Sequence, residues 1–177
     1  MKKLRLPLTK QEISSLKAGD AVLLSGTVYT ARDAAHKRLA ALLESGAPLP
    51  IDLAGAALYY AGPCPAKPGQ VINSCGPTSA VRMNAYAPAL YDRGVCCVIA
   101  KGPVSEGVRR SIVKNGAVYF GATGGAGALI SKCITAAEEA AFGELGAESI
   151  KALTVEDMPL IVGIDSSGAS LFEAGRL

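Results

Sequence analysis

The sequence predicts an α/β fold, and three observations carry that prediction. Short apolar runs alternate with helix-period segments along the whole chain, glycine- and proline-rich breaks separate them, and half of the residues are hydrophobic. Only 19% of the 177 residues are charged, against about 25% in an average soluble domain, so a sizeable core is available. A disordered chain would combine low hydrophobicity with high net charge, and this one carries only +3. The length suits a single domain, and neither an internal repeat nor a dividing linker is visible, so residues 1–177 are read as one unit.

Thr9-Lys10-Gln11-Glu12 has the spacing of a capping box, so a short helix with Ile13 and Leu16 on its apolar side starts there. Gly19-Asp20 turns into a strand at Ala21–Leu24, which Ser25-Gly26 interrupts and Val28-Tyr29 resumes. Thr30 is the predicted N-cap of the next helix, with the Asp33 carboxylate near its positive end. Gly46 closes that helix, and Pro48 and Pro50 bar its continuation. A strand follows at Ala56–Tyr60, and the prolines at 63, 65 and 68 make Gly62–Gly69 a loop.

A short strand at Val71-Ile72 then leads to Gly76-Pro77 and a helix over 78–85, restarted by Pro88. Next come a strand over 95–100, a break at Lys101-Gly102-Pro103, a helix from Ser105 to Lys114 and a strand over 117–120. The glycine-rich stretch 121–127 opens a predicted helix over 128–141, and strands near 149–153 and 160–164 precede a turn at Asp165–Gly168.

Composition excludes several functions. With 18 basic and 15 acidic residues, no run of five like charges, no tryptophan and 5% aromatics, the chain lacks the basic groove and stacking platforms of a nucleic-acid binder. The longest apolar stretches, Ala54–Ala61 and Val95–Ala100, fall far short of the ~20 residues that span a bilayer. Met1-Lys2-Lys3 is basic, but Pro7, Lys10 and Glu12 interrupt any apolar segment behind it, so a cytoplasmic location is expected. The cysteines at 64, 75, 96, 97 and 133 are odd in number and form no CxxC pair, so no metal site of the chain's own is expected.

Three polar clusters fall at strand-to-helix junctions, where open α/β sheets place ligands. Arg32, Asp33 and His36 sit at one helix start; they are read either as an anion-binding end or as a solvated face laced by i,i+4 pairs. Gly76-Pro77-Thr78-Ser79 with Arg82 offers hydroxyls, turn amides and a guanidinium, and reads equally as an anion site or as an N-cap followed by a surface arginine. Lys101 ends a buried strand, either aimed at the same crevice or lying in an ordinary surface turn. Gly121–Gly127 matches neither GxGxxG nor a P-loop, and serves as an amide cradle or as close helix packing.

Taken together, these clusters resemble the β subunit, or C-terminal domain, of the iron–sulfur-dependent class I fumarase and L(+)-tartrate dehydratase family. The matching stretches are Gly19-Asp20, Leu24-Ser25-Gly26, Thr30–Lys37, Tyr60-Ala61-Gly62-Pro63, Gly76-Pro77-Thr78, Arg82-Met83, Lys101-Gly102, Ala117–Phe120, Gly124-Gly125, Gly146-Ala147-Glu148 and Val155-Glu156-Asp157 with Pro159. The resemblance implies a three-layer swivelling β/β/α domain. It also implies reversible hydration of a small dicarboxylate, most directly of fumarate to malate, with L(+)-tartrate dehydration as the alternative. The implied [4Fe–4S] cluster is held by a partner α subunit, in an α2β2 assembly.

Carried over by position, Arg32, Arg82 and Lys101 bind substrate carboxylates together with Ser79, Thr78 is the base that removes the carbon-bound proton, and Asp33 and His36 orient these groups. Ser79 and Asn84 stand where the family pattern has threonine and aspartate, Ala100 stands for a glycine, and Cys75 precedes the Gly-Pro turn. A non-catalytic subunit of the same fold is the runner-up. A phosphohistidine carrier ranks below it, because the only histidine, His36, lies on a predicted helix rather than in the glycine-rich loop.

Overall fold

The structure, a computed structural model, describes residues 1–174. The elements in order are β1 (Lys2–Arg5), α1 (Lys10–Ser15), β2 (Ala21–Thr30), α2 (Asp33–Ser45), β3 (Ala57–Tyr59), α3 (Ala87–Asp92), β4 (Cys97–Ala100), α4 (Glu106–Asn115), β5 (Val118–Gly121), α5 (Gly127–Ile130), β6 (Ile134–Ala141), β7 (Ile150–Ile164) and α6 (Leu171–Ala174). They form a mixed α/β architecture around one seven-stranded sheet. No helix among the described residues is long and apolar enough to cross a membrane.

Strands β1 to β5 run parallel in the order β1-β2-β3-β4-β5. The long antiparallel β7 pairs with β5 through Phe120↔Val162 and with β2 from Ala21↔Ile161 to Tyr29↔Ala152. The hydrogen-bonded circuit β2-β3-β4-β5-β7 therefore closes on itself, and β1 and β6 are its outlying strands.

Successive strand residues point to opposite faces, which splits the core in two. Tyr59, Ile99, Phe120, Val155 and Val162 join one cluster drawn from every strand of the circuit. Leu58, Val98 and Tyr119, one position out of phase, pack instead against Leu39, Leu90 and Ile112 of α2, α3 and α4.

Several elements form where the sequence predicts them. The Thr9 capping box closes in both directions, Gly46 ends α2 in the left-handed conformation, Pro88 lies in the first turn of α3, and Ser105 caps α4. Other predictions are corrected. Of the helix expected over 128–141 only its start forms, as α5 and a 3₁₀ turn at Ser131–Cys133; the rest is strand β6, which pairs with β7 from Ile134↔Val155 to Ala141↔Ile150. Alanine and glutamate favour a helix locally, but here the ladder and the cross-strand pair Glu139–Lys151, at 2.9 Å, prevail.

The two strands expected near 149–153 and 160–164 are one strand of 15 residues, paired along most of its length with β2 across a bulge at Asp157. Val71-Ile72 lies in irregular chain: Ile72 packs against the core while Val71 is 49% exposed, and neither pairs with a strand. The helix over 78–85 shrinks to a 3₁₀ turn, Ala80–Met83, because Thr78 and Ser79 are held extended by the strand ends beside them. β1, whose Lys-Lys-Leu-Arg sequence buries only Leu4, was not predicted.

Candidate active site

The parallel strands β3 and β4 end side by side, and residues 77–80 are threaded between their carboxyl ends. Ala61 pairs with Pro77, the Thr78 amide donates to the Tyr60 carbonyl (2.6 Å), the Lys101 amide donates to the Thr78 carbonyl (3.2 Å), and the Ala80 amide donates to the Lys101 carbonyl (2.8 Å). Backbone bonds thus fix Thr78, Ser79 and Lys101 as one short ladder at the end of the sheet. The glycine-rich loop packs on it from above: the Cys75 amide donates to the Gly127 carbonyl (3.2 Å), and a Cβ at Gly127 would come within 2.9 Å of the Gly76 nitrogen. Close packing accounts for Gly127, while Gly125 and Gly127 both line the cleft that results.

The opposite wall comes from the start of α2. Arg32 rather than Thr30 is the N-cap, in extended conformation and without a side-chain cap of its own. Thr30 is fully buried at the end of β2, where its hydroxyl donates to the Ser149 carbonyl (3.2 Å) and accepts from the Lys151 amide (2.9 Å). Asp33 accepts from Arg82 through both oxygens, Nε to Oδ1 at 2.9 Å and Nη2 to Oδ2 at 2.8 Å, and from Arg32 Nε at 3.3 Å. Partial burial raises the Asp33 pKa, but hydrogen bonding to its own amide and to the two arginines outweighs this and holds it below the usual carboxylate range.

These walls enclose one cleft of about 410 Å³ lined by Arg32, Thr78, Ser79, Arg82 and Lys101, together with Ser74 and the Gly76-Pro77 turn. All five residues predicted to touch substrate are therefore brought together. Among the described residues, Lys101 Nζ has no ion pair and the Thr78 hydroxyl no hydrogen bond, whereas both arginines are partnered. Thr78 is only 9% exposed.

Asp33 sits between the two arginines. His36 does not reach the cleft; it lies fully buried beneath Arg32. Its Nδ1 is 3.1 Å from the Arg32 carbonyl, which can only accept, so the proton resides on Nδ1. Nε2 is left without a partner among the described residues, and the ring packs edge-on to Tyr60 at 4.8 Å. Burial pulls the His36 pKa down to about 4 against the opposing pull of the Arg32 carbonyl and Asp33, so the ring is neutral near pH 7.

Glu148 was not singled out as a site residue. It pairs with Arg32 Nη2 at 3.1 Å and accepts from the Ala34 amide at 2.9 Å. Only its place in the Gly146-Ala147-Glu148 stretch marked it in the sequence. Asn84 accepts from the Ser105 amide (3.1 Å), which ties the turn carrying Arg82 to the start of α4. The five cysteines do not converge: Cys64 is exposed, Cys75, Cys96 and Cys97 are buried, and Cys133 is intermediate. Among the described residues, no three histidine, cysteine or acidic side chains group as metal ligands, so the chain's own residues do not fit an iron–sulfur cluster.

An α/β scaffold that gathers three cations and an alcohol at the carboxyl ends of parallel strands has the chemistry to hold a small anion. The chain belongs to the family described as "Fumarase C-terminus", whose model matches residues 1–175. It is 35% identical over 173 residues to fumarate hydratase 2 of Leishmania major, covering 96% of this chain and 30% of that protein. It is 36% identical over 172 residues to a protein named as an L(+)-tartrate dehydratase subunit beta in Methanocaldococcus jannaschii, covering 94% of this chain and 88% of that one. The anaerobic class I fumarate hydratase of Escherichia coli is 34% identical over 164 residues, 30% of its length. The chain thus spans about a third of the fumarate hydratases it matches.

Proposed function

We propose that this chain is the substrate-gripping part of an iron–sulfur-dependent hydro-lyase that interconverts fumarate and malate. The observation that carries this reading is the single cleft shared by Arg32, Thr78, Ser79, Arg82 and Lys101. A dicarboxylate needs cations at two points, and the cleft offers the spare N–H groups of the arginines on one wall and the unpaired Lys101 ammonium on the other. Thr78 Oγ is the base that takes the carbon-bound proton. An alcohol is too weak a base in water, so this role depends on the surrounding cations of Arg32, Arg82 and Lys101 favouring the alkoxide.

The cluster is assigned to an α-type partner, in an α2β2 assembly; when bound, it supplies a Lewis acid for the substrate hydroxyl. Residues 1–177 act as one domain, and the closed strand circuit with α2, α3 and α4 packed on it supports a swivelling β/β/α domain that closes over that partner.

The test is anaerobic co-expression with a cluster-bearing partner, followed by absorbance of fumarate on adding malate. Fumarate formation is expected. A loaded complex that turns over neither malate, tartrate nor a methylated fumarate overturns the hydro-lyase reading. A second reading, the L(+)-tartrate dehydratase β subunit, is favoured by the match over 88% of the M. jannaschii protein. The ratio of kcat/KM for tartrate and malate decides between them.

A further inference from the structure

We infer that Glu148 is a positioning residue of this site: it anchors Arg32 in the cleft wall and caps α2 from 114 residues away, an inference that rests on the hydro-lyase reading for its catalytic consequence. The start of α2 lacks a local side-chain cap, because Thr30 is spent elsewhere and Arg32 occupies the N-cap position. Glu148 fills that need with one oxygen, accepting from the Ala34 amide at 2.9 Å, and holds Arg32 Nη2 with the other at 3.1 Å. A carboxylate at a helix start is favoured by the unpaired amides there, so one group serves the helix and the guanidinium at once.

Two further observations show that Arg32 lies in a built slot rather than on a free surface. Thr30 clamps the chain on both sides of residue 150, through the Ser149 carbonyl and the Lys151 amide, and so fixes where Glu148 emerges. The slot's other side is Gly62, where a Cβ would stand 2.9 Å from Arg32 Cδ and Nη1 and 3.0 Å from the Ala147 carbonyl oxygen. Held by Glu148 and Asp33 and walled by Gly62, the Arg32 side chain remains 26% exposed, toward the cleft it lines.

The test uses the complex with the cluster-bearing partner and the variants Glu148→Ala, Glu148→Gln, Arg32→Ala, Gly62→Ala and the double variant Glu148→Ala/Arg32→Ala. Steady-state kinetics with malate are read beside the rate at which phenylglyoxal modifies Arg32, followed by peptide mass spectrometry. Glu148→Ala is expected to raise KM roughly tenfold with a smaller change in kcat, as befits a misplaced binding group. Glu148→Gln restores most of the affinity, Gly62→Ala reproduces the rise in KM, and Arg32 becomes modified several times faster in Glu148→Ala. In the Arg32→Ala background, Glu148→Ala adds nothing to KM.

A KM effect that persists in full without Arg32, or Arg32 modification unchanged by Glu148→Ala, overturns the inference and leaves Glu148 a helix cap only. If the wild-type complex turns over neither malate, tartrate nor a methylated fumarate, the hydro-lyase reading fails by itself, and the modification rates still decide whether Glu148 anchors Arg32.

Discussion

The two walls of the cleft are built by different means. Thr78, Ser79 and Lys101 are placed by backbone hydrogen bonds to the ends of β3 and β4, so their positions depend little on side-chain charge. Arg32 and Arg82 are placed by side-chain ion pairs to Asp33 and Glu148, with Arg82 47% and Arg32 26% exposed. The backbone of the first wall is therefore fixed by the sheet, while on the second wall Arg32 stays in its slot and the half-exposed Arg82 can rearrange when an incoming anion competes for its guanidinium. On the proposed hydro-lyase reading, this division holds the Thr78 alcohol fixed and leaves Arg82 free to adjust to the substrate.

Substitutions that break one wall and spare the other sharpen this contrast. The largest effect is expected at Thr78. Thr78→Val in the reconstituted complex should lower kcat by about 10³-fold with little change in KM, the scale of losing a general base, whereas Thr78→Ser should keep most of the activity. Steady-state kinetics on malate read both.

The next effect concerns the layer that supports the arginine wall. His36 has a folded pKa of about 4 against 6.5 unfolded. Between those values the unfolded chain binds a proton that the folded chain refuses, so stability is full above about pH 6.5 and falls as the pH drops toward 4, by about 3 kcal/mol in all. Urea midpoints at pH 7, 5.5 and 4.5 check this, and His36→Phe should flatten the slope. Asp33 and Asp165 are held below the usual carboxylate range and lose their contributions only at lower pH, as each is protonated.

Arg82→Ala should cost about 2 kcal/mol in kcat/KM, the low end for losing one partner of a charge pair, because this guanidinium is half exposed. Unchanged kcat/KM would make it an ordinary surface arginine. Lys101→Met should have a similar but KM-dominated effect and, unlike Arg82→Ala, should leave the ion pairs of Asp33 undisturbed.

The local signals in the sequence were legible where the local chain decides the outcome. The Thr9 capping box, the Gly46 stop, the helix start at Ser105 and the short apolar runs of β3, β4 and β5 all depend on neighbours in sequence. The resemblance brought together Arg32, Thr78, Ser79, Arg82 and Lys101, which periodicity alone left divided between surface and site. What was misread depends on contacts distant in sequence. Thr30 looks like a cap, but its hydroxyl meets the Ser149 carbonyl and the Lys151 amide at the start of the returning strand. The alanine- and glutamate-rich stretch 134–141 looks helical, but β7 offers it a ladder. Glu148 carries no local pattern at all, because its partners lie at the other end of the chain.

The central claim is that the fixed wall carries the alcohol that takes the proton, and its most direct test is solvent exchange. The reconstituted complex is incubated with malate in deuterium oxide, and label at the carbon next to the hydroxyl-bearing carbon is followed by NMR, for wild type and Thr78→Val side by side. The account predicts label with wild type and almost none with Thr78→Val, although the variant still binds malate. Equal labelling by both proteins would contradict it.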